Sequence, residues 1–330
     1  MRQRILVLGA NGFIGRKLVD ALSKTDWATP IAGVRDSLRA PAQGVEYLIV
    51  DAADEAAVAR ALEGVDAVVN CVAGKMTTIS QGARALFAAA SRSTAMPRVV
   101  HLSTMSVYGN ASGTIDEAAP LRADLGAYSA AKIAAEHWAA GYPNRVILRP
   151  GCVYGPESPQ WSIRIGDFLV ARRLGDLGAN GDGYCNLVHV DDLIAAIIAC
   201  LTPAMTLLGS AIFNLSTPIP PTWNEYLRLY GRALRAVPIR RISQRRLRLE
   251  SKLLAPPLKI LESALGAAHL PASRLPPAMP PSLLRLMQQE IRLDVSRAQQ
   301  ILGVRWTSLD AGIDETARWY LREHPGRGES

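Results

Sequence analysis

The sequence predicts an α/β fold built on a doubly wound parallel sheet, with a smaller and discontinuous second domain. Through the first 150 residues, short apolar runs alternate with segments of helical period, and the first run ends in glycines spaced three apart. Strands buried on both faces read as continuous apolar runs, and helices join them in a parallel sheet. This alternation is therefore typical of a sheet that helices cover on both sides.

Each predicted strand is an apolar run that a turn or a helix follows. Residues 5–8 form the first strand, and the apolar positions Ile14, Leu18, Val19 and Leu22 give the next segment a helical period. The later strands and helices continue in the same order: PIAGVR, EYLIVDAAD, EAAVARALEG, DAVVNCVAG, ARALFAAASR, RVVHLSTMSVYG, YSAAKIAAEHWAA and RVILRP.

The alternation loosens after RVILRP, and this change sets the predicted domain boundaries. Residues 1–150 and about 186–202 are assigned to the sheet domain, because NLVHVDDLIAAIIACL adds one more strand and helix. Residues 151–185 and 203–330 form the predicted second domain, which we expect to bind the substrate. Its segment 255–282 is rich in proline, which breaks helices and favours loops.

Composition excludes several classes of protein. The chain has 330 residues, 49% of them hydrophobic and 20% charged, and no apolar run approaches the roughly eighteen residues of a membrane-spanning helix. The N-terminus lacks the apolar segment and cleavage site of a signal peptide, so we expect a cytoplasmic protein. Four scattered cysteines without a CxxC pair predict neither a disulfide framework nor a zinc site, and we expect no metal.

The net charge of +8 is concentrated in one part of the chain, where nine Lys or Arg and one acid lie between Arg228 and Lys252. This patch favours an anionic ligand, an anionic surface or simple solvation over nucleic acid, because neither interleaved aromatics nor a nucleic-acid motif accompanies it. Leucines interleave with the basic residues of 240–252. A helix that packs these leucines on its own domain is the preferred interpretation, and peripheral membrane contact through 240–260 is the alternative.

Gly9, Gly12 and Gly15 follow the first strand and open the first helix. A tight glycine turn at this point brings backbone N–H groups close to a pyrophosphate at a helix N-terminus, so the motif predicts a dinucleotide site in a Rossmann domain. The spacing departs from the G-x-G-x-x-G fingerprint, and a turn that serves packing alone is the alternative. Further predicted cofactor contacts lie inside the motif: Asn11, Phe13 and Ile14.

The tip of the second strand bears on which dinucleotide binds. Arg35 at this tip would meet a 2′-phosphate, whereas an acid would accept from the ribose hydroxyls, so the sequence favours NADP over NAD. NAD remains an alternative because of Asp36: if the strand ends one residue later than predicted, Asp36 and not Arg35 stands at its tip. Asp51, after the third strand, either accepts from the adenine amine or caps the next helix.

Tyr128 and Lys132 lie one helical turn apart in YSAAKIAAE, and hence on one face of a helix. A free tyrosine titrates near pH 10, and a neighbouring ammonium favours its phenolate. The pair can therefore act as a catalytic acid and base. An ordinary pair of solvent-facing side chains is the alternative, because this spacing also arises by chance.

The motifs, in this order, resemble the extended short-chain dehydrogenase/reductase family, which includes NAD-dependent sugar-nucleotide epimerases and dehydratases. The resemblance runs through most of the chain. Besides the glycine motif and YxxxK, it rests on four segments: VAG (72–74), LSTMSVYG (102–109), RPGCVYGP (149–156) and VHVDD (188–192).

This resemblance implies a role for each matched residue. Tyr128 would be the acid/base, and Lys132 would lower its pKa and hold the nicotinamide ribose. Thr104, or Ser103 as a second choice, would orient the substrate oxygen. Further cofactor contacts would come from residues that follow two of the strands: Val72, Ala73, Gly74 and Pro150.

Three departures from the family's pattern bear on substrate and assembly. The segment after VAG is shorter than in many relatives, where it shapes a dimer-forming helix, so a homodimer is left open. Cys152 stands where sugar-nucleotide enzymes place an asparagine that contacts phosphates. No arginine-rich turn follows FNLS, although Arg240 or Arg241 could bind a diphosphate instead.

Together these features predict an NAD(P)-dependent oxidoreductase or epimerase/dehydratase that acts on a small molecule. Hydride transfer would occur at a secondary alcohol or ketone carbon of a sugar-nucleotide-like or ring substrate. The RPxxVxGP motif also resembles that of 3β-hydroxysteroid dehydrogenases and dihydroflavonol reductases. An NADPH-dependent reductase or dehydrogenase of apolar ring alcohols is therefore an alternative. An alternative of another class is a non-catalytic dinucleotide-binding sensor or scaffold.

Overall fold

A computed structural model describes most of the chain. The described residues are 2–37, 44–202, 209–254, 256–258, 260–261 and 279–325. Most of the predicted proline-rich segment 255–282 lies outside them. No helix among the described residues combines the length and the apolar character that a bilayer crossing requires.

The strands of the described residues form one large sheet and two small ones. They are β1 (Gln3–Leu8), β2 (Ala28–Val34), β3 (Glu46–Ile49), β4 (Ala67–Asn70), β5 (Arg98–Leu102), β6 (Gly113–Ile115), β7 (Arg145–Pro150), β8 (Cys152–Tyr154), β9 (Leu187–His189), β10 (Ala211–Leu215) and β11 (Ile291–Leu293). Seven of them form a parallel sheet in the order β3-β2-β1-β4-β5-β7-β10. The strand order reverses between β1 and β4, and ligands of such sheets bind at this point, beyond the carboxyl ends of the strands.

Helices cover both faces of the large sheet. The helices of the described residues are α1 (Phe13–Ser23), α2 (Glu55–Ala61), α3 (Met76–Arg92), α4 (Ala127–Ala140), α5 (Arg164–Val170), α6 (Val190–Cys200), α7 (Trp223–Ala233), α8 (Gln244–Arg248), α9 (Pro281–Met287), α10 (Ser296–Leu302) and α11 (Leu309–Glu323). One apolar core lies under α1, α6 and α10, and the core on the opposite face lies under α2, α3 and α4. The predicted doubly wound parallel sheet is therefore confirmed.

Strand β1 shows why the apolar runs predict this sheet correctly. Ile5 and Val7 belong to the core of one face, whereas Leu6 and Leu8 belong to the core of the other. All four side chains are at most 1% exposed. A strand that helices cover on both sides needs an apolar residue at every position, and Ile5–Leu8 supply them.

A third core, made mainly by α5, α7, α9 and α11, lies in the smaller domain. The predicted boundaries differ from the structure at two elements within 203–330. Strand β10 pairs with β7 as the outer strand of the large sheet, and α10 packs Ala298 and Leu302 into the core it shares with α1 and α6. Both elements return to the sheet because their apolar side chains, such as Phe213 of β10, find cover there.

Candidate active site

Three of the predicted catalytic side chains lie together beyond the carboxyl end of β5. Thr104 follows the strand, and its hydroxyl lies beside that of Tyr128, in the first turn of α4. One turn further along α4, Lys132 Nζ donates to the carbonyl oxygen of Leu102 at 2.7 Å. This bond holds helix α4 against the end of β5, so that Thr104, Tyr128 and Lys132 lie in one cluster.

Burial shifts the protonation equilibria of this cluster. Loss of solvent around the hydroxyl raises the pKa of Tyr128, although its ring is 44% exposed, and the hydroxyl of Thr104 works in the opposite direction. Desolvation lowers the pKa of Lys132 to about 8, against the opposing influence of Cys71 and Glu136. At neutral pH the free protein therefore holds Tyr128 as a phenol beside a mostly protonated Lys132.

The other candidate hydroxyl, Ser103, faces the interior. Its Oγ donates to Glu136 Oε1 at 2.5 Å, and Arg149 binds both oxygens of the same carboxylate, with Nε at 3.0 Å and Nη2 at 2.6 Å. Both side chains of this ion pair are at most 4% exposed. The structure therefore places Thr104 next to Tyr128 and engages Ser103 in a buried network. Residues 103 and 104 adjoin at a strand end, where successive side chains point to opposite sides.

The role of Glu136 and Arg149 is absent from the sequence-based prediction. Arg149 also donates Nη1 to the hydroxyl of Tyr108 at 2.8 Å, and that hydroxyl donates to Asn214 Oδ1 at 2.6 Å. The network thereby joins α4 to β7, β10 and the turn after β5. The available signal is the acid of YSAAKIAAE, four residues after Lys132 and thus on the same helix face.

The glycine motif lets three backbone segments approach closely. Gly9 has φ +79°, and a Cβ there would lie 2.9 Å from the carbonyl oxygen of Cys71 at the end of β4. A Cβ on Gly15 would lie 2.3 Å from the carbonyl oxygen of Gly9. Helix α1 begins after Gly12 without a side-chain cap. Its first N–H groups thus face the switch point between β1 and β4, as the binding of a pyrophosphate requires.

The tip of β2 is tied to the glycine motif. Asn11 Nδ2 donates to the carbonyl oxygen of Ser37 at 2.8 Å, which fixes the turn that follows the strand. Arg35 and Asp36 are both exposed on this turn. The carboxylate of Asp36 accepts from the backbone N–H of Ser37 at 2.8 Å, so it serves the turn itself.

The remaining predicted cofactor residues occupy the same edge of the sheet or its helix. Phe13 and Ile14 begin α1 and pack against the core. Asp51 accepts from the backbone N–H of Ala53 at 3.0 Å, while Asp54 caps α2. The others follow or end strands of the large sheet: Val72, Ala73 and Gly74 after β4, and Pro150 at the end of β7.

Two residues expected near a substrate diphosphate are engaged elsewhere. Cys152 is 3% exposed, and its thiol lies beside that of Cys185. Arg241 pairs with Asp176 at 3.0 Å on a groove of about 780 Å³ in the smaller domain. The residues lining this groove do not include Thr104, Tyr128 or Lys132.

His189, which the sequence-based site leaves out, caps α6. Its Nδ1 accepts from the backbone N–H of Asp191 at 3.4 Å. Among the described residues, His189, Asp191 and Glu315 form a group close enough to share an ion, but both carboxylates are exposed. The expectation that no metal takes part stays a prediction.

Comparison with known proteins identifies the family. The model of the NAD dependent epimerase/dehydratase family matches residues 5–216. A ceramide reductase of Caulobacter vibrioides is 27% identical over 248 residues, which cover 71% of each chain. Protein YeeZ of Escherichia coli is 30% identical over 141 residues, which cover 42% of this chain and 47% of YeeZ.

Solved structures show the same fold over nearly the whole chain. The UDP-glucuronic acid 4-epimerase of Bacillus cereus, in complex with UDP-glucuronic acid and NAD, superposes with a TM-score of 0.71 at 20% identity, covering 98% of this chain and all of that one. The NAD-dependent NDP-hexosamine 5,6-dehydratase TunA gives a TM-score of 0.68 at 21% identity, covering 97% of this chain and 98% of that one. Because the family model spans well over half of the chain, this protein is an enzyme of the NAD-dependent epimerase/dehydratase family, of the extended short-chain dehydrogenase/reductase type.

Proposed function

We propose that this enzyme interconverts a secondary alcohol and a ketone by hydride transfer, with Tyr128 as the acid/base. The observation that carries this proposal is the cluster beyond β5, where the hydroxyls of Thr104 and Tyr128 lie side by side and Lys132, one helical turn away, is bonded to the end of the strand. In the sheet, β5 is separated from β1 and its glycine motif only by β4. A dinucleotide anchored at Gly9–Gly15 can therefore extend along the sheet edge towards Tyr128.

The chain's own residues supply the proton chemistry. A bound nicotinamide would supply or accept the hydride. As a ketone is reduced, its oxygen gains negative charge, and the Tyr128 phenol donates a proton to it. The protonated Lys132 stabilises the phenolate that forms, and the Thr104 hydroxyl orients the substrate oxygen. Because burial raises the pKa of Tyr128, the free protein starts in the phenol form that reduction requires.

NADP is the proposed dinucleotide, and NAD is the alternative. Arg35 is exposed on the turn that Asn11 ties to the glycine motif, whereas the carboxylate of Asp36 accepts a hydrogen bond within this turn. A guanidinium in this position can bind a 2′-phosphate with charge-assisted hydrogen bonds. The family's name and the solved relatives with bound NAD favour the alternative.

Arg35→Ser is expected to raise the KM for NADPH about tenfold or more, because a hydrogen bond to a charged group contributes roughly 1.5–3 kcal/mol. The KM for NADH should stay within about twofold, since that dinucleotide has no 2′-phosphate to lose a contact. Steady-state kinetics with both dinucleotides measure the difference. Arg60→Ser, an exposed arginine of α2, is the matched control and should change neither value. Equal changes for NADPH and NADH in Arg35→Ser would favour a purely structural role.

For the substrate, we favour an apolar or amphiphilic alcohol or ketone. Cys152 is buried against Cys185 and offers little hydrogen bonding to a phosphate, and Arg241 is paired with Asp176 away from the cluster. The relative named ceramide reductase covers 71% of this chain, and its name points to a lipid substrate. The second candidate is a nucleotide sugar, which the solved relatives with UDP-linked sugars suggest.

Cofactor content and turnover together test this function. The purified protein should be free of dinucleotide, bind added NADPH, and oxidise it when a panel of long-chain or ring ketones is supplied, as absorbance at the reduced-nicotinamide band reports. Tightly held NAD, with interconversion of UDP-sugars and no net oxidation, would instead favour an epimerase or dehydratase. Dinucleotide binding without turnover on either substrate class would favour the sensor or scaffold.

A further inference from the structure

A surface of the smaller domain joins exposed arginines to exposed leucines. Helix α8 and the wide helical turn after it, Leu249–Leu254, carry both kinds of side chain. Leu249, Leu253 and Leu254 are 47%, 66% and 42% exposed. We call this surface the basic apolar face, and its exposed members are Arg245, Arg246, Arg248, Leu249, Lys252, Leu253 and Leu254.

The opposite side of the same segment is anchored in the domain. Ile242 and Leu247 are each 2% exposed in the core of the smaller domain. Glu250 is buried in an ion pair with Arg173 at 2.5 Å, and Ser251 Oγ donates to the carbonyl oxygen of Leu247 at 2.8 Å. The expectation that the leucines pack on their own domain therefore holds for Leu247 and does not extend to the leucines of the basic apolar face.

The charge around the basic apolar face is strongly positive. Its four basic members, Arg245, Arg246, Arg248 and Lys252, are all exposed, whereas Arg241 is already paired with Asp176. The single acid of the segment, Glu250, is buried against Arg173 and contributes little negative charge to the surface. Such a surface attracts anions over about a Debye length, roughly 8 Å at physiological salt.

Apolar exposure continues into the described residues that follow. Ile260 is 71% exposed and Leu261 is 45% exposed. An apolar groove of about 370 Å³ lies beside them, lined by Arg173, Leu254, Pro257, Leu258 and Leu261. Exposed apolar side chains grouped in this way mark an interaction surface.

We propose that the basic apolar face docks the enzyme on an anionic lipid bilayer. Leucines that project from an anchored helical segment can enter the boundary between headgroups and acyl chains, while the arginines and Lys252 meet lipid phosphates. A second copy of the chain fits less well, because a symmetric contact through this face would bring like charges together. Nucleic acid would satisfy the arginines and leave the leucines exposed. Docking does not depend on the reaction proposed above.

Vesicle flotation of the full-length protein tests the docking. Binding to vesicles of equal parts phosphatidylcholine and phosphatidylglycerol should exceed binding to phosphatidylcholine alone by about tenfold or more, and salt should weaken it. Leu249→Ser/Leu253→Ser and Arg245→Glu/Arg248→Glu should each reduce binding about tenfold or more. The matched control is Arg60→Glu/Arg84→Glu, which changes the charge equally on α2 and α3 and should leave binding unchanged.

The leucine variant and the arginine variant test the apolar and the electrostatic part of the docking separately. Equal binding to neutral and anionic vesicles would overturn the proposal, as would anionic binding that survives either double substitution on the basic apolar face. Loss of binding in the arginine variant alone, with tighter binding of the wild-type protein to duplex DNA than to vesicles, would also overturn it. So would self-association that both variants abolish, measured by sedimentation velocity without lipid. Circular dichroism confirms that each variant is folded.

Discussion

Replacing Tyr128 by Phe is expected to lower turnover by about 10²- to 10⁴-fold, the range that a positioned general acid or base contributes. Phenylalanine keeps the ring in place but removes the hydroxyl that lies beside that of Thr104. The substrate oxygen then lacks its proton donor, while the glycine motif is untouched. Steady-state oxidation of NADPH measures the loss, and fluorescence titration should show unchanged dinucleotide binding.

The control for this substitution is Tyr47→Phe. Tyr47 lies on β3, the outer strand of the sheet, and is 51% exposed, against 44% for Tyr128. Its variant should keep the wild-type rate. A wild-type rate in Tyr128→Phe would remove Tyr128 from the role of proton donor and leave the cluster with a binding function only.

Glu136→Gln is expected to lower the free energy of unfolding by about 3–5 kcal/mol, the cost of breaking a buried ion pair by removing one partner. Arg149 would keep its charge at 3% exposure and lose the carboxylate that both Nε and Nη2 now contact. The single amide oxygen of glutamine cannot accept from Ser103 and from both Arg149 donors as the two carboxylate oxygens do, and the amide NH₂ would face a donor. Urea unfolding, extrapolated to water, measures the change.

An exposed ion pair supplies the comparison. Asp20 lies on α1 and Lys24 caps its C-terminus, with their charged atoms 2.7 Å apart, and both side chains are more than half exposed. Asp20→Asn should therefore cost no more than about 0.5 kcal/mol. If Glu136→Gln costs as little as Asp20→Asn, the buried network is not what holds α4 against β5 and β7.

The sheet and its cofactor edge are predictable from sequence because both depend on local patterns. Ile5–Leu8 must be apolar at every position to fill two cores, and Gly15 leaves no room for a Cβ beside Gly9. Local patterns do not decide whether Ser103 or Thr104 faces Tyr128. That choice depends on the exact residue at which β5 ends, and a shift of one residue exchanges the hydroxyl that faces Tyr128.

The elements after residue 203 are less predictable, because their positions depend on contacts with residues that are distant in the sequence. Strand β10 belongs to the sheet by pairing with β7, a contact that spans many residues of chain and has no local signature. Leucine spacing in 240–252 indicates a helix, but the wide turn over Leu249–Leu254 changes which side chains share a face. Leu249 and Leu253 therefore project outward, although the leucine spacing predicts that the leucines of this segment pack on their own domain.

Tracing the hydride tests the central claim most directly. With NADPH that carries deuterium at both C4 positions of the nicotinamide, the wild-type enzyme is expected to place one deuterium on the carbinol carbon of the reduced ketone. Tyr128→Phe should form this labelled product at least about a hundredfold more slowly. A product without deuterium, or labelled product formed by Tyr128→Phe at the wild-type rate, would contradict hydride transfer governed by this tyrosine.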